Sequence, residues 1–534
     1  MGFSKTHSGQ SYHLKGVIVD IEIDLSRGLH SFSIVGLPDK AIEEAKDRIS
    51  AAIKNIGFIS PKQKNHRVVI SLAPAHIRKE GTHFDLAMAL GYLIASGDIN
   101  FDPTKKLFLG ELSLDGNIRK VKGVLAIVIE AKKNGFEEIF VPKENANEAA
   151  LVENVKIFGV STLHEIVHHL NQKNCFKNKI NDHKKIKEKI SEFERSEHIQ
   201  KNILDHNENL SEKKLILLEK IIGQGFAKRG LEISAAGGHN IIMSGPPGTG
   251  KTMLANAMRS LLPRLPIEHA LEVTSIHSIV ELTDNLISYP PFRAPHHTSS
   301  YSSLVGGGAI PKPGEITLAH RGVLFLDEFP EFDKKVIQAL RQPLEDKIVH
   351  IARARASVYF PAHFILIAAM NPCPCGYHTS KKSRCVCLST DILRYKNKLS
   401  GPILDRIDLS VEVGEVEYTN LNTSKTLNTN ETVSAVKRIT QAREKQKIRF
   451  SSLDKGPHLN SEMSGDDLAR ISNISPEAAE TLFQSASAFN LSMRSYHRVW
   501  KVSRTIADLE NCDEIKKDHV LEALQFRKVE GLTR

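Results

Sequence analysis

The 534-residue sequence lacks any apolar run long enough to cross a membrane. Its longest apolar stretches, Val124–Ile129 and Phe364–Ala369, fall far short of the roughly 18 residues that a spanning helix needs. The N-terminus, MGFSKTHSG, also lacks the apolar segment of a secretory signal. Both absences predict a protein that has no membrane partner and stays in the cytoplasm.

Cysteine is scarce, with six in the whole chain, and four of the six fall between positions 373 and 387. This distribution excludes a disulfide framework and favours a metal site. Collagen-like periods and dominant low-complexity tracts are also missing, while 41% hydrophobic and 25% charged residues are typical of globular proteins. A chain of this length predicts three or four domains.

No domain-sized segment concentrates charge of one sign. The net charge is +10, and the basic excess is spread along the chain. Such a balance permits a nucleic-acid partner, but a solvated basic surface explains it equally well. Charge alone therefore does not establish a polyanionic ligand.

Composition divides the chain into five segments. Residues 1–170 mix strand-like and helical runs, which predicts an α+β or α/β domain. Residues 171–212 are mostly Lys, Glu, Asn and His and cannot supply a core, so we expect a charged linker. Between 213 and 415 strands alternate with helices around Gly/Pro-rich loops, which predicts an α/β domain with a parallel sheet. A polar loop at 416–432 precedes a helical pattern over 433–534, predicted to form a lid.

The sharpest motif is GPPGTGKT, placed between the apolar run Asn240–Met243 and a helical segment. Strand, glycine loop and helix are the context that a phosphate-binding loop requires. Glycines let backbone N–H groups close around phosphate oxygens at the positive end of a helix. The predicted ATP-binding residues are Gly245, Pro246, Pro247, Gly248, Thr249, Gly250, Lys251 and Thr252, with Lys251 on the β/γ-phosphates and the Thr252 hydroxyl on Mg²⁺.

A second motif places two acids at the end of an apolar strand, Val323–Leu326. Asp327 is predicted to hold Mg²⁺ and Glu328 to activate water; an edge strand running into a charged turn is the alternative. Asn371 follows another strand-like run and is predicted to orient the attacking water. A lone Asn at a strand end is otherwise a turn residue.

Five motifs in order, GPPGTGKT, FLDEFPEF, AAMNPCPCG, GPILDRIDL and RSYHRVWKVSRTIADL, resemble the magnesium-chelatase-like branch of the AAA+ ATPases, and specifically the ComM/YifB family. GLHSFSIVGLPDKAIEEAKDRISAAIKN and KEGTHFDLAMALGYL extend the resemblance over nearly the whole chain. It implies a hexameric ring with ATP bound between subunits, and a role in DNA branch migration during integration of transformed DNA. It also implies that Arg406 is an arginine finger and Arg494 the second sensor, with Arg498 as its rival.

The cysteines form two close pairs, Cys373 with Cys375 and Cys385 with Cys387, separated by nine residues. Four thiolates can close a tetrahedral, structural Zn²⁺ site. Four buried free cysteines are the alternative, since C-x-C is less usual than C-x₂-C. Basic residues around the cluster could face DNA phosphates or simply be solvated.

Two further segments match inserts that project into a central pore in the resembled family. One is the Gly/Pro-rich stretch with His296 and His297, and the other is 347–359, a predicted hairpin with Arg353 and Arg355. These arginines are predicted to contact DNA phosphates without reading bases. Solvent-facing arginines and histidines bonded within their own loop are the alternatives.

The N-terminal segment resembles the proteolytic domain of Lon, which uses a Ser/Lys dyad. Here the matching positions carry His83 and Leu125, and a lysine activates a serine only when both are present and adjacent. A Lon-like but non-proteolytic domain is predicted. The favoured function is an ATP-driven DNA motor; the alternatives are a chelatase-type or chaperone-like remodeller of proteins and, less favoured, a Lon-like protease.

Overall fold

The computed structural model describes most of the chain, namely residues 2–12, 15–171, 192–193, 216–280, 286–308, 311–353, 356–380, 382–399, 401–415, 430–451, 453 and 458–527. The chain divides into two compact units, Met1–Asn207 with Ala270–Ile287 and Glu208–His269 with Ser288–Arg534. Residues 270–287 fall inside the range assigned to the ATPase core, but they belong to the first unit. Most of the predicted linker and polar loop lies outside the described residues.

Alternating side chains build the first sheet of the first unit. In the strand Lys15–Arg27, Val19, Ile21, Ile23 and Leu25 are buried, because successive residues of a strand point to opposite faces. The sheet has the strand order Gly2–Tyr12, Lys15–Arg27, His66–Ala73 and Ser31–Val35; the last pair is parallel and the others are antiparallel.

A second sheet in this unit is mostly parallel. Its order is Glu192–Phe193, Lys156–Val160, Glu138–Pro142 and Lys106–Phe108, with Glu192–Phe193 antiparallel to its neighbour. The short strands Glu111–Leu112 and Ile118–Arg119 pair as a hairpin. The helices are Lys40–Glu43, Ala45–Asn55, Asp85–Ala95, Val124–Lys133, Ala146–Ala149 and Leu163–Asn171. Helices and mixed sheets agree with the predicted α+β character.

Five parallel strands form the sheet of the second unit, in the order Phe292–Arg293, Val323–Leu326, Ile365–Met370, Ile241–Ser244 and Leu409–Glu412. Val323–Leu326 is buried along its whole length, as expected for a strand covered on both faces. Its helices are Gly225–Gly237, Lys251–Leu261, Tyr301–Val305, Glu315–Leu318, Lys334–Ala339, Arg341–Asp346, Ser389–Lys396 and Gly401–Leu404. The predicted parallel sheet flanked by helices is confirmed.

Serine caps fix the starts of several C-terminal helices. Ser464 forms a capping box with Asp467, and the Ser475 and Ser492 side chains accept from the first turns that follow them, which satisfies N–H groups that a helix leaves unpaired. The five helices are Glu431–Phe450, Gly465–Ile471, Pro476–Ala488, Met493–Leu509 and Lys517–Gln525. They confirm the predicted helical C-terminal region.

Helix Ile267–Val280 and the hairpin Ile348–Arg353 with Ala356–Pro361 complete the larger elements. Short strands Gly306–Gly307 and Lys312–Pro313 also pair. Among the helices described, none has the length and apolar character that crossing a membrane requires.

Candidate functional site

The phosphate-binding loop connects the end of the strand Ile241–Ser244 to the helix Lys251–Leu261. Gly248 and Gly250 have φ angles of 78° and 91°, which side chains other than glycine adopt only at a cost. A methyl group at either position would meet no atom within 4 Å. The loop is therefore open where a ligand would approach.

Lys251 is 8% exposed. Its Nζ donates to the carbonyl oxygens of Gly245 and Pro246, at 2.7 and 2.8 Å, and to Oδ1 of Asn371 at 3.2 Å. Burial lowers the pKa of Lys251, while Asp327 and Glu328 act to raise it. Within the described part of the chain this cation has neutral hydrogen-bond acceptors, so the donor set fits an anionic ligand such as a phosphate.

The two predicted magnesium ligands lie together. The Thr252 hydroxyl donates to Oδ2 of Asp327 at 2.8 Å, across 75 residues of sequence. Hydroxyl and carboxylate oxygens are the ligands that Mg²⁺ takes in such sites. These two residues fit a magnesium ion held beside the phosphate-binding loop.

Glu328 follows Asp327 with a left-handed backbone, φ 51°, and its side chain is 52% exposed. Asn371 directly follows the strand Ile365–Met370. All these residues lie at the edge where the parallel strands end, which we call the carboxyl edge. Ligands of open parallel sheets bind at this edge.

His297 is a residue whose contact the sequence did not predict. Its Nδ1 lies 3.1 Å from Oε2 of Glu328, whereas the neighbouring His296 contacts the Thr298 hydroxyl at 2.8 Å within its own loop. For both histidines the sequence left open hydrogen bonds within their own loop. The structure shows such a contact for His296, whereas His297 contacts Glu328. The signal available in the sequence was the histidine pair in a long loop ahead of the two acids.

The predicted arginines lie at the opposite edge of the same sheet, the amino edge. The carbonyl of Arg406 accepts from Nδ2 of Asn240 at 3.1 Å, and Asn240 directly precedes the strand Ile241–Ser244. Arg406 donates to the carboxylate of Glu345, and Arg494 donates to its Oε1 at 2.6 Å. Within one chain these arginines are not brought to Lys251.

Arg498, the rival to Arg494, pairs with the carboxylate of Asp408, whose side chain is 8% exposed. Burial acts to raise the pKa of Asp408, but the charge of Arg498 and the hydrogen bond from His239 outweigh it and hold that pKa well below its usual range. Arg494 has a side chain that is 56% exposed. Exposure therefore favours Arg494 as the residue that reaches another molecule.

The four cysteines of the insert converge. Cys373 Sγ lies 3.4 Å from Cys375 Sγ and 3.7 Å from Cys385 Sγ, and the N–H of Cys375 donates to the sulfur of Cys387 at 3.4 Å. All four sulfur atoms lie within 4.8 Å of one another. Backbone N–H groups of Tyr377 and Val386 lower the pKa of the Cys375 thiol, which favours the thiolate. The donor set fits a tetrahedral zinc ion.

The predicted hairpin is present, and Arg353 is its last residue before the turn. Arg355 and the Arg353 side chain lie outside the described residues. At the Lon-like positions, Leu125 is buried and His83 is half-buried. Burial lowers the pKa of His83 to about 4. A Lon-like fold for this unit stays a prediction.

Comparison with known proteins supports one family along the chain. The model "Magnesium chelatase, subunit ChlI" matches residues 217–421, "Subunit ChlI of Mg-chelatase" matches 21–145, and "Magnesium chelatase, subunit ChlI C-terminal" matches 429–527.

Whole-length relatives agree with these matches. Competence protein ComM of Haemophilus influenzae is 41% identical over 531 residues, covering 99% of this chain and 98% of the relative. YifB of Escherichia coli is 38% identical over 536 residues, covering 100% of this chain and 98% of the relative. A shorter match, 35% identical over 83 residues, covers 16% of this chain and 20% of the DNA repair protein RadA of Streptococcus pneumoniae. The chain belongs to the ComM/YifB family of magnesium-chelatase-like AAA+ ATPases.

Proposed function

We propose that this protein assembles into a hexameric ring that hydrolyses ATP between neighbouring copies and uses the energy to move DNA. Its substrates are branched recombination intermediates of the kind formed when transformed DNA is integrated. One observation carries the proposal: Lys251 and Asn371 lie at the carboxyl edge of the sheet, whereas Arg406 and Arg494 lie at the amino edge.

The separation is set by the sheet itself. Strand Leu409–Glu412 begins three residues after Arg406, and its last residue is in register with Ser244, where the phosphate-binding loop begins. Four strand residues span about 13 Å, and Glu345 holds both arginines at the far end of that distance. In the proposed ring, Arg406 and Arg494 therefore serve the nucleotide site of another copy.

Each residue of this chain then has a defined role. Lys251 and the loop N–H groups bind the phosphates, and Thr252 with Asp327 holds the magnesium ion, which neutralises phosphate charge when bound. Glu328 takes a proton from the attacking water, His297 holds the Glu328 carboxylate, and Asn371 orients the water. Arg406 and Arg494 of a neighbouring copy offset the negative charge that develops on the transferred group.

Three features support DNA as the partner. One whole-length relative is named a competence protein, and a partial relative is named a DNA repair protein. The hairpin Ile348–Arg353 with Ala356–Pro361 includes Arg353, and Arg355 lies between its two strands in the sequence. Arginines on such a hairpin would hold the phosphate backbone independently of sequence.

A structural zinc ion on Cys373, Cys375, Cys385 and Cys387 is part of the proposal. It is supported by the convergence of four sulfur atoms in an insert that is otherwise short of apolar residues. Closed four-cysteine sites hold a loop in place and do no chemistry.

The test is the ATPase rate with and without four-way DNA, measured beside the native mass of the assembled species. We expect DNA to raise the rate several-fold and the active species to have the mass of a ring. A rate that DNA leaves unchanged but protein partners raise would favour the second candidate, a chelatase-type remodeller. That candidate is supported by the three matching family models, which are all named for a magnesium chelatase subunit.

A further inference from the structure

The loop that carries the cysteines contacts the phosphate-binding loop at its start. Asn371, whose Oδ1 accepts from Lys251 Nζ at 3.2 Å, is two residues before Cys373. Cys373 is fully buried. The first cysteine of the cluster thus lies two residues from the side chain that contacts Lys251.

A second contact lies three residues further on. Gly376 has a φ of 86°, and a methyl group built on it would lie 2.7 Å from Cδ of Pro247 and 3.2 Å from its Cγ. These distances leave no room for a side chain at Gly376. The backbone of the cysteine loop therefore packs directly against the Pro247 ring of the phosphate-binding loop. Gly376 also allows the turn that brings Cys375 next to Cys373, since the N–H of Gly376 donates to the Cys373 carbonyl at 3.0 Å.

The far end of the insert returns to the same place. Helix Ser389–Lys396 follows Cys387; burial raises the pKa of its Tyr395 to about 12, and the nearby backbone N–H of Asn371 acts to lower it. Tyr395 is buried. The segment from Asn371 to Tyr395 thus leaves the nucleotide site, passes through all four cysteines and comes back to Asn371.

A metal ion bound by the two cysteine pairs could hold the two ends of this segment together. Cys373 with Cys375 and Cys385 with Cys387 come from opposite ends of a nine-residue stretch, and the thiols alone join them by weak contacts of 3.4–3.7 Å. Four metal–sulfur bonds would replace these contacts and fix both ends of the segment.

We propose that zinc binding by these four cysteines positions Asn371 and Pro247, so that nucleotide affinity depends on the metal. This inference rests on the zinc site of the proposed function and is independent of its DNA motor activity. It gives Gly376 a role as a positioning residue, because Gly376 transmits the metal-held loop conformation to the phosphate-binding loop.

The first experiment compares Gly376→Ala with Gly135→Ala in the full chain. Gly135 also has a positive φ, 79°, but a methyl group there meets nothing within 4 Å, so it reproduces the backbone strain without the contact. We expect Gly376→Ala to retain about one zinc per chain and to bind a fluorescent, non-hydrolysable ATP analogue about tenfold more weakly. Gly135→Ala should bind it as the wild type does. Equal affinity in the two variants would overturn the inference.

The second experiment removes the metal and uses the same binding readout. Chelation, or the double change Cys385→Ser with Cys387→Ser, should weaken analogue binding, and returning zinc to the chelated wild type should restore it. The coupling would be overturned if the purified protein holds zinc in full but the chelated, still folded protein binds the analogue with unchanged affinity. Circular dichroism checks the folding. The zinc site itself would then remain supported. A wild-type protein purified without chelator and free of zinc would overturn both. Neither result bears on stimulation of ATPase activity by DNA.

Discussion

Arg406 and Arg494 share one carboxylate. Both guanidinium groups donate to Glu345, although Arg406 is 61 residues away from it in sequence and Arg494 is 149. Two like charges held side by side would repel each other, and a carboxylate between them offsets that repulsion. The two arginines therefore form a pair at the amino edge, and in the proposed ring they enter the nucleotide site of a neighbouring copy together.

Replacing Glu328 by Gln should trap bound ATP. The amide keeps the size of the side chain but cannot accept the proton of the attacking water, a loss of about 10²–10⁴ in rate. A single-turnover measurement with radiolabelled ATP should show binding without cleavage. Product formation at close to the wild-type rate would remove Glu328 from the role of base.

His297→Ala should lower kcat by about tenfold or more and leave nucleotide affinity unchanged, because the 3.1 Å contact with Glu328 orients the carboxylate. His297→Asn places an amide donor near the position of Nδ1 and should recover part of the rate. His296→Ala is the matched control, since its ring contacts Thr298 instead. If both alanine variants lose the same activity, the loop as a whole matters and His297 has no separate role.

The role of Glu328 could be predicted from the sequence, whereas its contact with His297 could not. The sequence predicts Glu328 because a continuous apolar run ends in two acids. A buried parallel strand requires such an apolar run, and the acids follow it directly in the sequence, so the whole pattern is local. The helix starts at Ser475 and Ser492 were also local, since a cap and the first turn are adjacent in sequence. Local chemistry of this kind can be read from one chain.

Contacts between distant segments could not be predicted in this way. His297 lies in an irregular loop, and no periodicity fixes where its ring points. Glu345 meets Arg406 and Arg494 because three separate elements pack together at the amino edge. The Gly376 contact with Pro247 depends on a close approach of two loops. Each of these contacts results from tertiary packing, which the composition and the motif spacing of one sequence do not predict.

Neutralising Arg353 and Arg355 together should weaken DNA binding and flatten its salt dependence. Each phosphate contact contributes about one unit to the slope of log affinity against log salt, so we expect the slope to fall by about two while ATP binding is spared. Titrations of labelled DNA at several salt concentrations measure it. The double variant Lys132→Ala with Lys133→Ala removes the same charge from two exposed positions at the end of helix Val124–Lys133 and should leave the slope unchanged. A slope equal to that of the wild type in the arginine variant would defeat the hairpin assignment.

Glu462 should stabilise the second unit in a pH-dependent manner. Burial acts to raise its pKa, but His363, whose Nε2 lies 2.5 Å from Oε1, outweighs burial and lowers the pKa from 4.5 to about 2. A carboxyl whose pKa is depressed on folding stabilises the protein above its unfolded pKa, and that contribution is lost as the pH falls from about 4.5 towards 2. Glu462→Gln should therefore cost roughly 3 kcal/mol at pH 7 and progressively less below pH 4. Urea unfolding of both proteins at pH 7 and pH 3 gives the difference, and an equal cost at the two pH values would contradict the stabilising contact of Glu462 with His363.

The sharing of each nucleotide site by two copies is tested most directly by mixing two inactive variants. Arg406→Ala should bind ATP almost normally and lose about 10³–10⁵ in turnover, while Lys251→Ala should fail to bind it. In a random one-to-one mixture, about a quarter of the interfaces join an intact phosphate-binding loop to an intact arginine. We expect the mixture to recover up to that share of the wild-type ATPase rate. A mixture that stays as inactive as its components, although the mixed rings form, or an Arg406→Ala protein that hydrolyses ATP at the wild-type rate, would contradict the account.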